Sequence, residues 1–171
     1  MWTLRDATKA DYDRFYQLDQ QCFPPGIAFT RADFRACLSQ AHSVALLAEA
    51  TTTGALLGFI LAGQRRKGEA RFGYIMTIDV AEAMRRQGLG RALLFAAERR
   101  LQESGLDMMR LEVAVDNLAA QQFYEQEGYQ RIGTIPNYYM GSLDAYVMEK
   151  ALLRQKRSAG IVGNAHTEKM V

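Results

Sequence analysis

The chain has 171 residues, 49% of them hydrophobic, and a formal net charge of +2. That length fits one domain with a sizeable core, and that charge is too small for nucleic-acid binding by bulk attraction. No apolar run reaches the roughly 18 residues of a membrane span, and the N-terminal stretch MWTLRDATKADYDRF has no apolar core of signal-peptide type, so no membrane association is expected.

Residues Thr3 to Ala7 read as a first strand. Thr8-Lys9-Ala10-Asp11 has the form of a capping box, with Asp in place of the usual Glu. A helix is expected from Asp11 to Gln21, with Tyr12, Phe15, Tyr16 and Leu18 on its apolar side. Phe23-Pro24-Pro25-Gly26 must end it, because proline removes a backbone donor and restricts its predecessor. Thr30-Arg31-Ala32-Asp33 repeats the capping signal for a second helix to Ser39. Three apolar runs of strand length follow: His42 to Ala50, Leu56 to Gly63 and Ala70 to Val80. Thr53-Gly54 and the charged stretch Arg65-Arg66-Lys67-Gly68-Glu69 separate them, which predicts an antiparallel meander.

Leu89, Leu93, Ala96, Ala97 and Leu101 recur near period 3.6, so a helix is expected over Leu89 to Ser104, stopped by Gly105. Met109, Leu111, Val113 and Val115 alternate with polar or small residues, a strand pattern. Asp116 or Asn117 caps a helix over Leu118 to Glu127, and Gly128 ends it. Two last strands fit Tyr129 to Ile135 and Ala145 to Leu152. The expected fold class is α/β: a mixed sheet with helices on its faces, in which the second-half strand-helix-strand unit makes neighbouring parallel strands. The domain is expected over residues 1–153, followed by a mobile tail over 154–171, which lacks periodicity.

Cys22 and Cys37 make no disulfide framework and are expected as reduced thiols in a cytoplasm. Neither His42 nor His166 lies at ligand spacing from them, so no metal site is expected.

The turn Arg85-Arg86-Gln87-Gly88-Leu89-Gly90-Arg91 joins a strand to a helix. A helix start presents unpaired N–H groups and a positive dipole end, and glycine lets a phosphate approach the backbone. The alternative is a plain connection, with glycines for geometry and arginines for solubility. A P-loop needs Gly-Lys-Ser/Thr, and Gly90 is followed by Arg91-Ala92. A dinucleotide fold needs a third glycine, absent from Gly88-Leu89-Gly90-Arg91-Ala92-Leu93, and the meander upstream spoils a doubly wound sheet. The third phosphate-binding class is an acyl-coenzyme A site, and the turn alone leaves it open beside the plain connection.

Arg85-Arg86-Gln87-Gly88-Leu89-Gly90 resembles the Arg/Gln-x-x-Gly-x-Gly/Ala loop of the GCN5-related N-acetyltransferases. The resemblance covers Thr3 to Leu152, includes the element order, and is closest to the ribosomal-protein alanine and N-terminal protein acetyltransferases. Tyr74-Ile75-Met76-Thr77, Leu111-Glu112-Val113 with Asn117 and Tyr124, and Asn137-Tyr138-Tyr139 carry the finer match. It implies a central sheet of about seven strands and acetyl-CoA as co-substrate, gripped by Arg85, Arg86, Gln87, Gly88, Leu89, Gly90 and Arg91. It also implies a cleft where two strands splay, backbone contacts from Ile78, Asp79 and Val80, and Asn117 and Tyr124 beside the pantetheine and sulfur.

The resemblance further implies direct attack by an amine, with no acyl-enzyme. Cys22 and Cys37 lack a histidine neighbour in sequence, which agrees. Glu112 alternates with Leu111 and Val113 and is the first choice for general base. The alternative is a strand glutamate paired with Arg110 or a surface lysine. Tyr124 is the choice for general acid, seven residues after Asn117 and so about two helical turns along one face. Tyr74 matches a tyrosine that assists the base in relatives carrying histidine at the Glu112 position, which leaves the division of labour between the two open. Phe23, Pro24 and Ile27 from one loop, with Tyr138 and Tyr139 from another, are expected to wall the acceptor site. The acceptor implied is a protein or peptide N-terminus, with the protein a monomer or weak homodimer. The alternatives are a small-molecule amine, a lysine side chain, or a non-catalytic acyl-CoA-binding module.

Overall fold

The computed structural model describes residues 1–40 and 42–152. The strands are β1 (Trp2–Asp6), β2 (Ser43–Ala50), β3 (Leu56–Lys67), β4 (Ala70–Val80), β5 (Met108–Ala114), β6 (Gln130–Tyr139) and β7 (Leu143–Ala151). The helices are α1 (Tyr12–Cys22), α2 (Arg31–Ser39), α3 (Leu89–Glu103) and α4 (Leu118–Gln126), with short 3-10 turns at Lys9–Asp11 and Glu82–Met84. The strands form one mixed sheet in the order β1-β2-β3-β4-β5-β7-β6. Both capping boxes form: Thr8 with Asp11 before α1, and Thr30 with Asp33 before α2. Such a cap is worth about 1 kcal/mol. The expected tail over 154–171 lies outside the described residues.

Strand alternation sends β3 into two cores. Phe59 and Leu61 join Leu47, Phe15 and Leu18 of α1, and Phe34 of α2. Ile60 and Ala62 join Leu89, Leu93 and Leu101 of α3 and Tyr124 of α4. Helices therefore cover both faces, as the alternation predicts. The Phe15 ring stacks on Phe59 with centroids 4.2 Å apart.

Two elements differ from the sequence expectation. β3 runs on to Lys67, because Arg65, Arg66 and Lys67 keep pairing with Phe72, Arg71 and Ala70. Charged side chains do not end a strand whose backbone still has a partner. β6 runs through Pro136 to Tyr139, so the expected acceptor loop is the end of an edge strand. A register break between Ile135 and Tyr139 accommodates the proline there.

The parallel pair β4 and β5 meets only at Gly73 with Met109 and Tyr74 with Arg110. Beyond that point β4 stays paired to β3 as far as Val80, while β5 stays paired to β7 as far as Ala114. Their facing edges separate into a wedge. A bulge starts the separation: Leu61 pairs with Thr77 and Ala62 with Ile75, which leaves Met76 as the extra residue and bends β4. Gly73 is needed where the strands close, since a Cβ there would lie 2.2 Å from the Met109 sulfur.

Candidate active site

The wedge opens toward the start of α3. Gly88 is its N-cap, at φ +81, a conformation that disfavours other residues. No side chain caps the helix, and the first helical bond beyond the cap runs from the Ala92 amide to the Gly88 carbonyl. The amides of Leu89, Gly90 and Arg91 are thus left without helical acceptors. A Cβ on Gly88 would meet nothing within 4 Å, so the backbone there is open. Leu89 is fully buried in the core, and Gly90 packs toward Phe123, so these two can offer only their backbone. This bare, positive helix end fits a diphosphate.

The side chains of the turn are less available than their charges suggest. Arg85 Nε donates to the Val80 carbonyl at 3.1 Å. Gln87 donates to the Ala83 carbonyl at 2.7 Å. Arg91 pairs with Glu127 at 3.2 Å. Arg86 is exposed at φ +60 and is the arginine of the turn best placed to meet an anion.

The three residues expected to offer backbone to a cofactor, Ile78, Asp79 and Val80, do not turn their backbone the same way. The Asp79 carbonyl turns to β3, 2.7 Å from where a Cβ on Gly58 would stand. Alternation then leaves the backbone polar groups of Ile78 and Val80 on the wedge side. The Asp79 side chain is 1% exposed and Asp19 of α1 is 0% exposed; the two carboxyls interact, and Asp19 Oδ1 and Asp79 Oδ2 are the buried oxygens left without a hydrogen-bond donor among the described residues. Thr77 donates to the other Asp79 oxygen at 2.6 Å, and the Phe29 amide to Asp19 at 2.7 Å. Burial pushes the Asp19 carboxyl up to about 6 and that of Asp79 well above the carboxylate range. The pair ties α1 and the chain before α2 to β4. The signal missed in the sequence is an Asp four residues after Phe15, on the apolar side of a helix.

Glu112 lies just past the splay point. Its carboxylate accepts a hydrogen bond from the Tyr74 hydroxyl, and the Tyr138 hydroxyl lies 3.4 Å from the same oxygen. The Tyr139 hydroxyl is 3.4 Å from the Glu112 carbonyl. Arg110 pairs with Glu149 at 2.7 Å, so the alternative of a Glu112–Arg110 ion pair is absent. Burial first, then the bond to Glu112, raises the Tyr74 pKa far above an ordinary phenol's. Tyr74 therefore stays protonated and donates.

Tyr124 is 6% exposed on α4, and its hydroxyl holds no hydrogen bond to another described residue. Burial raises its pKa, with smaller contributions from Tyr139 and Asp79. Asn117 is the N-cap of α4, and its side-chain oxygen accepts from the Ala120 amide at 3.1 Å. Its amide group alone remains for a ligand.

The two expected acceptor walls do converge. A Cβ on Gly26 would lie 2.7 Å from the Met140 sulfur, so the turn carrying Phe23, Pro24 and Ile27 abuts the end of β6. Tyr138 is 43% exposed there, and its ring stands edge-on to Tyr139 with centroids 4.8 Å apart. Burial raises both thiols, which disfavours thiolate nucleophiles.

Residues 12–129 match the model of the Acetyltransferase (GNAT) family. The chain belongs to that family. This GNAT enzyme is 33% identical over 151 residues to the N-alpha-acetyltransferase RimI of Mycobacterium tuberculosis, covering 86% of the chain and 91% of that protein. Its fold matches the ribosomal-protein-S18-alanine N-acetyltransferase of Escherichia coli with a TM-score of 0.73 at 25% identity, covering 92% of the chain and 98% of that structure. Ard1 of Thermoplasma volcanium matches with a TM-score of 0.78 at 27% identity, over 90% and 99% of the two chains. A mycothiol acetyltransferase of Salinispora tropica is 32% identical over 139 residues, covering 77% of the chain and 45% of that relative. The chain spans 39% of a Mycobacterium leprae relative to which it is 38% identical. Among the described residues no His/Cys/Asp/Glu group could hold a metal, and no helix is long and apolar enough to cross a membrane.

Proposed function

We propose that this acetyltransferase moves acetyl from acetyl-CoA to the N-terminal α-amine of a protein or peptide, by direct attack. The observation that carries the reading is the Glu112 carboxylate, set just past the splay of β4 and β5 with the hydroxyls of Tyr74 and Tyr138 on it. Acetyl-CoA, when bound, supplies the activated acetyl as a thioester. The open amides of Leu89, Gly90 and Arg91, with Arg86, hold its diphosphate. The wedge-side backbone of Ile78 and Val80 aligns its arm, much as an added strand would.

Glu112 takes the proton of the incoming amine, directly or through one water. A terminal ammonium of pKa about 8 is far easier to deprotonate than a lysine of about 10.4, so this base needs only modest strength. Tyr74 fixes the Glu112 carboxylate and does not act as a base, because its own proton is held too tightly. Tyr124 faces the sulfur. A thiol has a pKa of about 8.5, well below this buried phenol, so Tyr124 gives the leaving sulfur a hydrogen bond rather than a full proton transfer.

The aromatic wall of Tyr138 and Tyr139 against the Phe23–Ile27 turn suits a narrow peptide end better than a lysine on a flat surface. The deciding experiment compares peptides with free and blocked N-termini. Acetylation confined to free N-termini supports the reading, and activity that survives blockage overturns it. Similarity to a mycothiol acetyltransferase favours a second reading, a small-molecule amine acceptor. Turnover of such amines with none on any free-N-terminus peptide is its signature.

A further inference from the structure

Arg65 stands on β3 with its guanidinium carbon 3.4 Å from the centroid of the Tyr74 ring. The register explains the contact. Tyr74 is opposite Gly63, which offers no side chain, and Arg65 is two residues further along the same strand face. Its side chain folds back over the phenol that bonds Glu112.

A neighbouring arginine makes a useful contrast. Arg110 also lies over a ring, that of Phe72, but its charge is answered by Glu149 at 2.7 Å. Arg65 has no carboxylate within ion-pair distance among the described residues. Its surroundings repeat the imbalance. The β3–β4 hairpin carries Arg65, Arg66, Lys67 and Arg71 against the single carboxylate of Glu69, all exposed. The ring holds the guanidinium carbon in place, and the exposed side chain keeps its N–H donors without a carboxylate partner among the described residues. That is a preorganised fork for a carboxylate, at little further entropic cost.

Distance then selects the ligand. An amine at Glu112 is within reach of the Tyr74 hydroxyl, and Arg65 covers the ring of that same residue. A chain advances about 3.3–3.6 Å per residue, so a peptide that leads from Glu112 over Tyr74 brings its first few side chains to Arg65. We propose that Arg65 is a specificity determinant that favours acceptors carrying an Asp or Glu within the first three residues. This rests on the N-terminal acceptor reading given above.

The test uses full-length enzyme and equal-length peptides with free N-termini, bearing Glu, Gln or Lys at positions 2 and 3. The expected order of kcat/KM is Glu, then Gln, then Lys, with Glu over Gln by about tenfold or more. The ratio shrinks as salt is raised. It falls toward one in Arg65→Gln, and Arg65→Glu turns the preference to Lys. Because Arg65 is exposed, both variants should fold, and their thermal transitions check this. The unaltered enzyme's Glu/Gln ratio tests the idea without any variant. Acetylation of all three peptides at equal efficiency overturns this proposal and leaves N-terminal acetylation standing. Failure to acetylate any free-N-terminus peptide overturns both.

Discussion

The Tyr74 hydroxyl donates a hydrogen bond to the Glu112 carboxylate from the last residue at which β4 still pairs with β5. The base is thus fixed where the sheet begins to open, held by a residue on the other side of the gap. Glu112→Gln should lower kcat by about 10²–10⁴-fold with acetyl-CoA affinity unchanged, since removing a positioned base costs that order. Tyr74→Phe should cost less, about tenfold. In the double variant the losses should fall well short of multiplying, because the tyrosine acts through the glutamate. Multiplicative losses in steady-state kinetics would show that the two groups act independently.

Tyr124→Phe removes, from a buried ring, a hydroxyl with no hydrogen-bond partner among the described residues. The packing is kept, so stability should hold within about 1 kcal/mol. Turnover should fall about tenfold while the coenzyme A dissociation constant stays the same. Unchanged kcat would leave the phenol without a chemical role.

Gly88→Glu places a carboxylate at the open end of α3. A new Cβ meets no atom within 4 Å, so only the cost of φ +81 opposes folding, about 1 kcal/mol. Calorimetry should find coenzyme A binding lost while the circular dichroism spectrum is retained. Binding at parental affinity would remove the α3 start from the diphosphate site.

The Asp19–Asp79 pair makes stability depend on pH. In the unfolded chain both groups ionise near their usual pKa of about 3.9. In the fold, burial raises Asp19 to about 6 and lifts Asp79 well above its ordinary value. The folded state then holds more protons, and stability falls as pH rises from about 4 through 6 and beyond. Asp79→Asn removes one ionisation and can still donate to Asp19. Its melting temperature should drop less between pH 5 and pH 8 than that of the parent. An equal drop in both proteins would show that the pair does not titrate in the fold.

Much of the site was legible because its residues obey local rules. Glu112 alternates with Leu111 and Val113 on a strand, Gly88 precedes a clear helical period, and both capping boxes announce their helices. Other features had no local signature. Arg85 and Arg91 read as phosphate ligands by charge, and their contacts with Val80 and Glu127 have no signal in the sequence. Asn117 reads as a ligand or a cap, and it caps. Tyr138 and Tyr139 read as loop residues, yet β7 offered a partner and β6 continued to Tyr139.

Periodicity and turn chemistry in the sequence alone determined the order of elements, the two buried faces of the sheet and the bare helix start after Val80. These depend on neighbours a few residues away along one chain. Tertiary structure decided what register controls: the splay after Tyr74, the meeting of Tyr74, Tyr138 and Glu112, the stacking of Arg65 and the pairing of Asp19 with Asp79. Each joins strands or helices far apart in sequence. A shift of one residue in any ladder would turn those side chains to the opposite face.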